Sequence, residues 1–303
     1  MFLGGAVGVD TATYESIISN IILGESVGVE TGFVFLVRFL SVVFSDPVYI
    51  LRCITFLIFL IFYFLFSRTK CSVQIFSLLV FPVFFHDFTM NGVRYGLSFL
   101  IASFAIAYIY GLNYIKSVFP AFSSVFIHSS SLIIILLSFV RNMSFHIVVF
   151  GICLVGIFLF MFQEHLLVKY YAYLQYESPN LYSGFLRVFI SIALVLILRN
   201  VYSISNLEFF VLISSVIAFV FISSFSYAGL RMTGAILYFL MFRIVLFSLS
   251  ETRFFVIKNI WLLMFIFFLG FLEFVNILRI MISLYDVGDS PYLPFYFIWQ
   301  VYY

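Results

Sequence analysis

Long apolar stretches recur along the chain from residue 47 to residue 282, and they constrain its fold more than any other feature. A helix that crosses a bilayer needs about 20 mostly apolar residues. Hydrocarbon offers backbone groups no hydrogen-bond partner, so segments of this kind span as helices. We place helices at 47–66, 72–88, 93–112, 144–163, 183–199, 207–225, 230–249 and 258–282. The sequence therefore predicts an all-α, polytopic membrane protein with about 8–10 transmembrane helices.

Composition supports this fold class. Apolar residues make up 65% of the 303 positions and charged residues 9%, whereas a soluble chain is about half apolar and about a quarter charged. So few charges could not cover a surface that faces water. We expect one membrane domain over residues 1–303, in which 1–46 form an outer-face loop with an interfacial helix, 47–284 form a helical bundle, and 285–303 form an outer-face tail.

Several functional classes lack their sequence signals. The net charge of +2 is too small and too dispersed for nucleic-acid binding. Cys53, Cys71 and Cys153 have irregular spacing, which argues against a disulfide framework and a structural metal site. The chain has no Walker loop, no Gly-rich nucleotide turn and no Gly-x-Ser-x-Gly motif. We therefore expect neither a metal nor a cofactor.

Two apolar segments depart from the spanning pattern. Residues 33–44 would form a helix of about 18 Å, which is too short to cross and is expected to lie at the interface. Residues 116–140 are interrupted by Pro120 and by the polar run from His128 to Ser131. We interpret 116–140 as a re-entrant segment, which is allowed at membrane depth when protein surrounds it. A single span is the alternative, and it would invert the topology of everything that follows.

Basic residues in the short loops predict the orientation, because such loops face the cytoplasm. They are Arg68, Lys70, Lys116, Arg199, Arg253 and Lys258. In this topology several arginines lie near the outer ends of helices: Arg52, Arg94, Arg187, Arg231 and Arg279. Each could extend its head group to the lipid phosphates. Alternatively, the guanidinium groups could bind a phosphorylated ligand bidentately, and Arg94 and Arg231 would add the N–H groups of a helix N-terminus.

Three residues are candidates for acid–base chemistry. Transfer to a hydroxyl needs a carboxylate or an imidazole that takes its proton, and His128, Asp87 and Asp10 could do so. His128 lies in a cluster of hydroxyl residues at a predicted helix break, although a lone histidine in an apolar segment is often structural. Asp10 could instead cap a loop. With Tyr14 and the segment 30–33, Asp10 makes the start of the chain unusually polar for this protein.

These residues resemble the motifs of a known family. Val93-Arg94-Tyr95-Gly96-Leu97-Ser98 and Phe126-Ile127-His128-Ser129-Ser130-Ser131-Leu132 resemble the "I-R-Q-G-L-A … F-H-x-S-A-L" signature of EpsG-type, Wzy-like polysaccharide polymerases. Gly8-Val9-Asp10 with Tyr14, then Glu30-Thr31-Gly32-Phe33, is similar to the family's "G-x-D … Y … E-P-G-F". Arg231 with Tyr238, and the later Pro291-Tyr292-Leu293-Pro294, resemble the family's arginine helix and its terminal Pro-Tyr element.

The chain departs from the family at three places. Thr31 replaces the proline of the E-P-G-F element, and Tyr95 replaces the glutamine after the arginine. The family usually has a spanning helix before its G-x-D element, and the residues that precede Asp10 are too few to form one.

The resemblance implies a GT-C-like membrane glycosyltransferase of the bacterial cytoplasmic (inner) membrane. Such an enzyme would transfer a growing glycan from undecaprenyl diphosphate to a lipid-linked oligosaccharide repeat at the outer face. Its expected partners are the undecaprenyl-diphosphate-linked oligosaccharide, membrane lipids and a chain-length regulator protein. The expected substrate-binding residues are Arg94, Arg231, Arg187, Arg279, Tyr14 and Tyr292.

Two alternatives stay open at the level of sequence. A flippase or other transporter of the same lipid would show paired repeats with matching broken helices, and only one polar-broken segment is found. A ligase of the O-antigen type would use the same arginines for a different acceptor.

Overall fold

A computed structural model describes residues 11–25, 27–67, 84, 88, 92–142, 185–202, 204–223, 227–250 and most of 264–275. The regular structure in these ranges is helical. The α-helices are α1 (Thr11–Ile22), α2 (Thr31–Ser41), α3 (Pro47–Ser67), α4 (Val93–Tyr110), α5 (Tyr114–Ile127), α6 (Ser131–Phe139), α7 (Phe185–Tyr202), α8 (Asn206–Ser223) and α9 (Tyr227–Ser250). A 3₁₀ turn, Val140–Asn142, follows α6.

The prediction of an all-α, polytopic membrane protein is confirmed. Within the described part of the chain, three helices are long and apolar enough to cross a membrane: Pro47–Leu65, Val93–Tyr110 and Asn206–Ser223. Shorter apolar helices occur at Thr31–Ser41, Tyr114–Ile127 and Met232–Leu246. Helices α3, α4, α7, α8 and α9 occupy the predicted segments 47–66, 93–112, 183–199, 207–225 and 230–249. The predicted helices at 72–88, 144–163 and 258–282 lie wholly or largely outside the described residues.

The N-terminal region contains one helix more than the sequence predicted. The short helix expected at 33–44 is present as α2, but the loop expected before it is wrong over residues 11–22, which form α1. Tyr14, Ile18 and Ile21 recur at helical spacing along α1, and all three are buried. The apolar face of this short amphipathic helix was hidden in the sequence by the polar residues between them.

The chain divides into two compact units, Met1–Leu132 with Val245–Tyr303, and Ile133–Ile244. In the first unit α4 and α5 form an antiparallel hairpin. Residues 111–113 reverse the chain, and Leu112 adopts a positive φ of 56° in this turn. Near the far end of the hairpin, the Ser98 hydroxyl donates to the carbonyl oxygens of Ser124 (2.8 Å) and His128 (3.3 Å). Helix α5 therefore returns the chain to the end of α4 that carries Arg94.

The polar run after α5 breaks the helix where the sequence predicted. His128 has an extended backbone (φ −155°, ψ 122°) and ends α5, and α6 begins at Ser131. Pro120, by contrast, lies inside α5 and does not end it. Re-entry of 116–140 stays a prediction, since the described contacts locate the break and not the side on which the segment leaves.

A glycine allows α2 to approach the end of α5. A Cβ added at Gly32 would clash with the carbonyl oxygen of Phe126. That atom belongs to the helix backbone and cannot move aside as a flexible side chain could. The close approach places the N-terminus of α2 beside the break at His128.

In the second unit, α7 and α8 form a hairpin whose connection is closed by Arg199. Its guanidinium donates to the carbonyl oxygen of Ile204 (2.6 Å) and also to the side chain of Asn206. Glu208 on α8 forms an ion pair with Arg243 on α9, and both side chains are buried. Glu208 is thus the buried counterion of Arg243 within this unit.

We predict that Gly32→Ala destabilises the first unit. The added methyl group must displace the backbone of α5 or α2, and overpacking of this kind costs about 1–3 kcal/mol. Thermal unfolding of the purified protein in detergent measures the loss. Gly28→Ala is the matched control, because a Cβ at Gly28 meets no atom within 4 Å. Equal unfolding midpoints for the two variants would contradict the close packing.

We predict that Arg243→Met and Glu208→Gln each destabilise the second unit strongly, because each leaves one buried charge without its counterion. The cost of breaking such a pair is about 3–5 kcal/mol. The double variant should recover much of this loss, since it removes both charges together. Unfolding midpoints of the two single variants and the double variant form a cycle that checks this; additive losses would show that the two residues do not interact.

Candidate functional site

Three helix ends in the first unit bring an arginine, a carboxylate and an imidazole together. Arg94 lies in the first turn of α4, Glu30 is the residue before α2, and His128 is the residue after α5. Arg94 and Glu30 are 64 positions apart in sequence, and Glu30 and Ser129 are 99 apart. All three residues lie at helix ends and not in the middle of a helix.

Glu30 is the centre of this arrangement. Its Oε2 accepts a hydrogen bond from Arg94 Nη1 at 2.9 Å. Its Oε1 accepts from both the backbone N–H (3.3 Å) and the hydroxyl (3.2 Å) of Ser129. The two carboxylate oxygens thus bind two different helix ends, that of α4 and that of α5.

His128 lies beside the carboxylate with its ring oriented by its own loop. The backbone N–H of Ser130 donates to Nδ1 at 3.1 Å, so Nδ1 carries a lone pair and the proton of the neutral ring is assigned to Nε2. Nδ1 is 3.9 Å from Glu30 Oε1, a distance that gives an ion pair when the ring is protonated. The ring of Tyr95 packs edge-on against the imidazole, with 6.3 Å between centroids.

The electrostatic surroundings keep Glu30 ionised. Burial alone would raise its pKa, but His128, the backbone amide of Glu30, the Arg94 guanidinium and the Ser129 N–H together outweigh burial and lower the pKa below its ordinary value of 4.5. Glu30 is therefore a carboxylate at neutral pH and a weak base while Arg94 holds it.

Arg94 is held mainly by aromatic packing and by one hydrogen bond. Its guanidinium lies over the ring of Phe33, 5.7 Å from the centroid. Its side chain is 16% exposed, and its Nε is buried with no hydrogen-bond partner among the residues that the structure describes. Tyr14 packs edge-on against Phe33, with 6.4 Å between the two ring centroids. Tyr14 is itself buried, so its contact with a ligand stays a prediction.

The remaining predicted residues fall into two groups. Arg187 on α7 lies in the second unit, with Nη1 3.7 Å from the position of a Cβ added at Gly234 on α9. Arg231 belongs to the same helix α9, one turn before Gly234. Since each unit is described by itself, convergence of these arginines with Arg94 stays a prediction. Asp10, Asp87, Arg279 and Tyr292 lie outside the described residues.

Sequence reasoning missed Glu30 as a site residue. Glu30 stood in the motif that resembles E-P-G-F, but Asp10, Asp87 and His128 were taken as the acid–base candidates. The signal that could have found it is the order Glu30-Thr31-Gly32: a carboxylate directly before a helix, followed by the small residue that lets that helix end approach another backbone.

The helices and this site define a class of protein: a polytopic, all-helical membrane protein with a charged cluster of arginine, carboxylate and imidazole at its helix ends. A comparison with family models is more specific. The model described as the EpsG family matches residues 1–300, and the chain belongs to this family. Membership confirms the resemblance seen in the sequence motifs. At the level of the family, it supports a polysaccharide polymerase-like membrane glycosyltransferase. No curated protein and no solved structure matches the chain.

We predict an acid-side loss of stability that depends on Glu30. Because the pKa of Glu30 is lowered in the folded protein, its stabilising effect is fully present above the ordinary value of 4.5 and is lost as the pH falls through the lowered pKa. Unfolding midpoints measured from pH 7 to about pH 3 should fall less steeply below 4.5 in Glu30→Gln than in the wild type. Glu25→Gln, an exposed position on the same segment, is the control and should follow the wild type.

Proposed function

We propose that this protein is a polysaccharide polymerase, which transfers a growing glycan from undecaprenyl diphosphate to a lipid-linked oligosaccharide repeat at the outer face of the bacterial cytoplasmic membrane. The observation that carries the proposal is the meeting of Arg94, Glu30 and His128 at one end of the α4–α5 hairpin. Family membership supports the reaction class, and the apolar helices support a donor that is itself a membrane lipid.

The position of Arg94 suits a diphosphate leaving group. The N–H groups in the first turn of a helix have no acceptor within the helix, and Gly92, the N-cap residue of α4, has no side chain that could cap them. A helix N-terminus attracts anions through these donors and through the helix dipole. The guanidinium adds a full positive charge and a donor fork that matches phosphate oxygens. Both would stabilise the negative charge that develops as the bond between the sugar and the diphosphate breaks.

The acceptor side of the reaction needs a proton acceptor within hydrogen-bond reach of the attacking hydroxyl. Two neighbouring groups are candidates: the Glu30 carboxylate, which pairs with Arg94, and the His128 imidazole, which would act through Nδ1 after releasing the Ser130 N–H. Asp87 and Asp10 remain proposed members of the site, as do Arg231, Arg187, Arg279, Tyr14 and Tyr292 for substrate binding. Membrane lipids and a chain-length regulator protein are proposed as further partners.

Reconstitution tests the proposal directly. Purified protein in lipid nanodiscs is supplied with a synthetic undecaprenyl-diphosphate-linked repeat, and products are separated by size. We expect ladders of polymer from the wild type. Arg94→Ala should lose roughly 10²–10³-fold in rate, the usual effect of removing one donor that stabilises developing charge. Arg38→Ala is the matched control, because Arg38 is an exposed arginine on α2, and it should leave the ladders unchanged.

Two results would contradict the polymerase proposal and favour a flippase or a ligase instead. Movement of the lipid-linked repeat across the membrane of a proteoliposome without any extension of the glycan would indicate a flippase. Transfer to a lipid-core acceptor, with no transfer to a second lipid-linked repeat, would indicate a ligase.

A further inference from the structure

The described partners of Arg94 use only part of the hydrogen-bonding capacity of its guanidinium. Its described polar contact is one hydrogen bond, from Nη1 to Glu30 Oε2, and its buried Nε has no partner among the described residues. A guanidinium has five N–H donors arranged to match two oxygens at once. A buried donor without a partner is unfavourable, so a ligand that accepts two hydrogen bonds could stabilise Arg94 further.

The Glu30 carboxylate is anchored independently of Arg94. Its Oε1 is held by the N–H and the hydroxyl of Ser129, whereas only Oε2 faces Arg94. When Arg94 turns to another anion, Oε1 keeps the carboxylate in place and Oε2 is released. The side chain of Glu30 is 26% exposed, compared with 9% for His128, so its released oxygen is the more accessible of the two proton acceptors.

We propose that Glu30 is the resting counterion of Arg94, that the donor diphosphate displaces it, and that its released Oε2 then accepts the proton of the attacking hydroxyl. This inference rests on the proposed polymerase function and names the base of that reaction. Glu30 is thereby a catalytic residue, and its Oε2 becomes free to accept a proton only when the donor is bound.

The proposed step is balanced in atoms and charge. The acceptor hydroxyl oxygen forms a bond to the anomeric carbon of the donor sugar, and the bond from that carbon to the diphosphate oxygen breaks. The hydroxyl proton goes to Oε2 of Glu30, and the electron pair of the broken bond goes to undecaprenyl diphosphate, which Arg94 holds. Departure of the diphosphate and loss of the proton to water let Glu30 return to Arg94.

The displacement also makes Glu30 a stronger base when the donor is bound. While Arg94 is bound, its positive charge favours the ionised carboxylate. A bound diphosphate neutralises that charge and places negative charge nearby, and both effects favour the protonated carboxyl. A protein that holds no donor therefore keeps Glu30 ionised and paired.

Binding and turnover of Glu30→Gln test the proposal together, with Glu25→Gln as the control. Binding is measured by fluorescence with a labelled undecaprenyl-diphosphate-linked repeat, and turnover by ladder formation. Glu30→Gln removes the internal competitor, so we expect it to bind the donor about fivefold more tightly than the wild type. Its turnover should fall roughly 10²–10⁴-fold, because the proton acceptor is gone.

The outcomes separate this proposal from the function on which it rests. Absence of polymer from the wild type would reject the polymerase function. An active wild type with a Glu30→Gln variant that polymerises normally would overturn the role of Glu30 as base, and weaker donor binding by that variant would overturn the displacement.

If the glutamine variant does not fold, infrared difference spectra of the wild type test whether the diphosphate displaces Glu30 from Arg94. Addition of undecaprenyl diphosphate should shift a carboxylate band as Glu30 leaves Arg94. An unchanged carboxylate region would overturn the displacement.

Discussion

The Glu30 carboxylate holds the described site together, because its two oxygens join the start of α2 to the ends of two other helices. One oxygen binds Arg94 at the start of α4, and the other binds Ser129 just after α5. The α4–α5 hairpin brings those two ends to one level through Ser98. Helix α2 can deliver the carboxylate there because Gly32 has no side chain to collide with α5. The geometry of the site therefore depends on a carboxylate and a glycine that lie two residues apart.

The apolar setting explains why Glu30 and Glu208 each pair with an arginine. An isolated charge is unfavourable away from water, and an opposite charge nearby reduces that cost. Only 9% of the residues of this chain are charged. The Glu208–Arg243 pair is buried within its unit. The Glu30–Arg94 pair is partly exposed, at 26% and 16% of the two side chains. The same chemistry thus supports packing in one unit and remains open to exchange in the other.

The sequence predicted those parts of the structure that depend on local pattern. Apolar length predicted α3, α4, α7, α8 and α9, and the polar run at His128 predicted the break after α5. The sequence motifs also identified Arg94 and His128 as candidate site residues. Helix α1 was missed because its apolar stripe is short and separated by polar residues. Glu30 was missed as a site residue because its partners lie 64 and 99 positions away, and no local spacing reports a contact of that range.

A single ion pair can serve both stability and chemistry only if its strength lies between two limits. A bidentate, fully buried pair would hold Arg94 so firmly that a diphosphate could not compete. No pair at all would leave a guanidinium and a carboxylate separately exposed to an apolar environment, at a cost to the fold. The single hydrogen bond from Arg94 to Glu30, with the second carboxylate oxygen held elsewhere, lies between these limits. In the proposed exchange, a diphosphate would accept two hydrogen bonds from Arg94 while Ser129 keeps Glu30 beside α5, so the exchange need not disturb the helices that form the site.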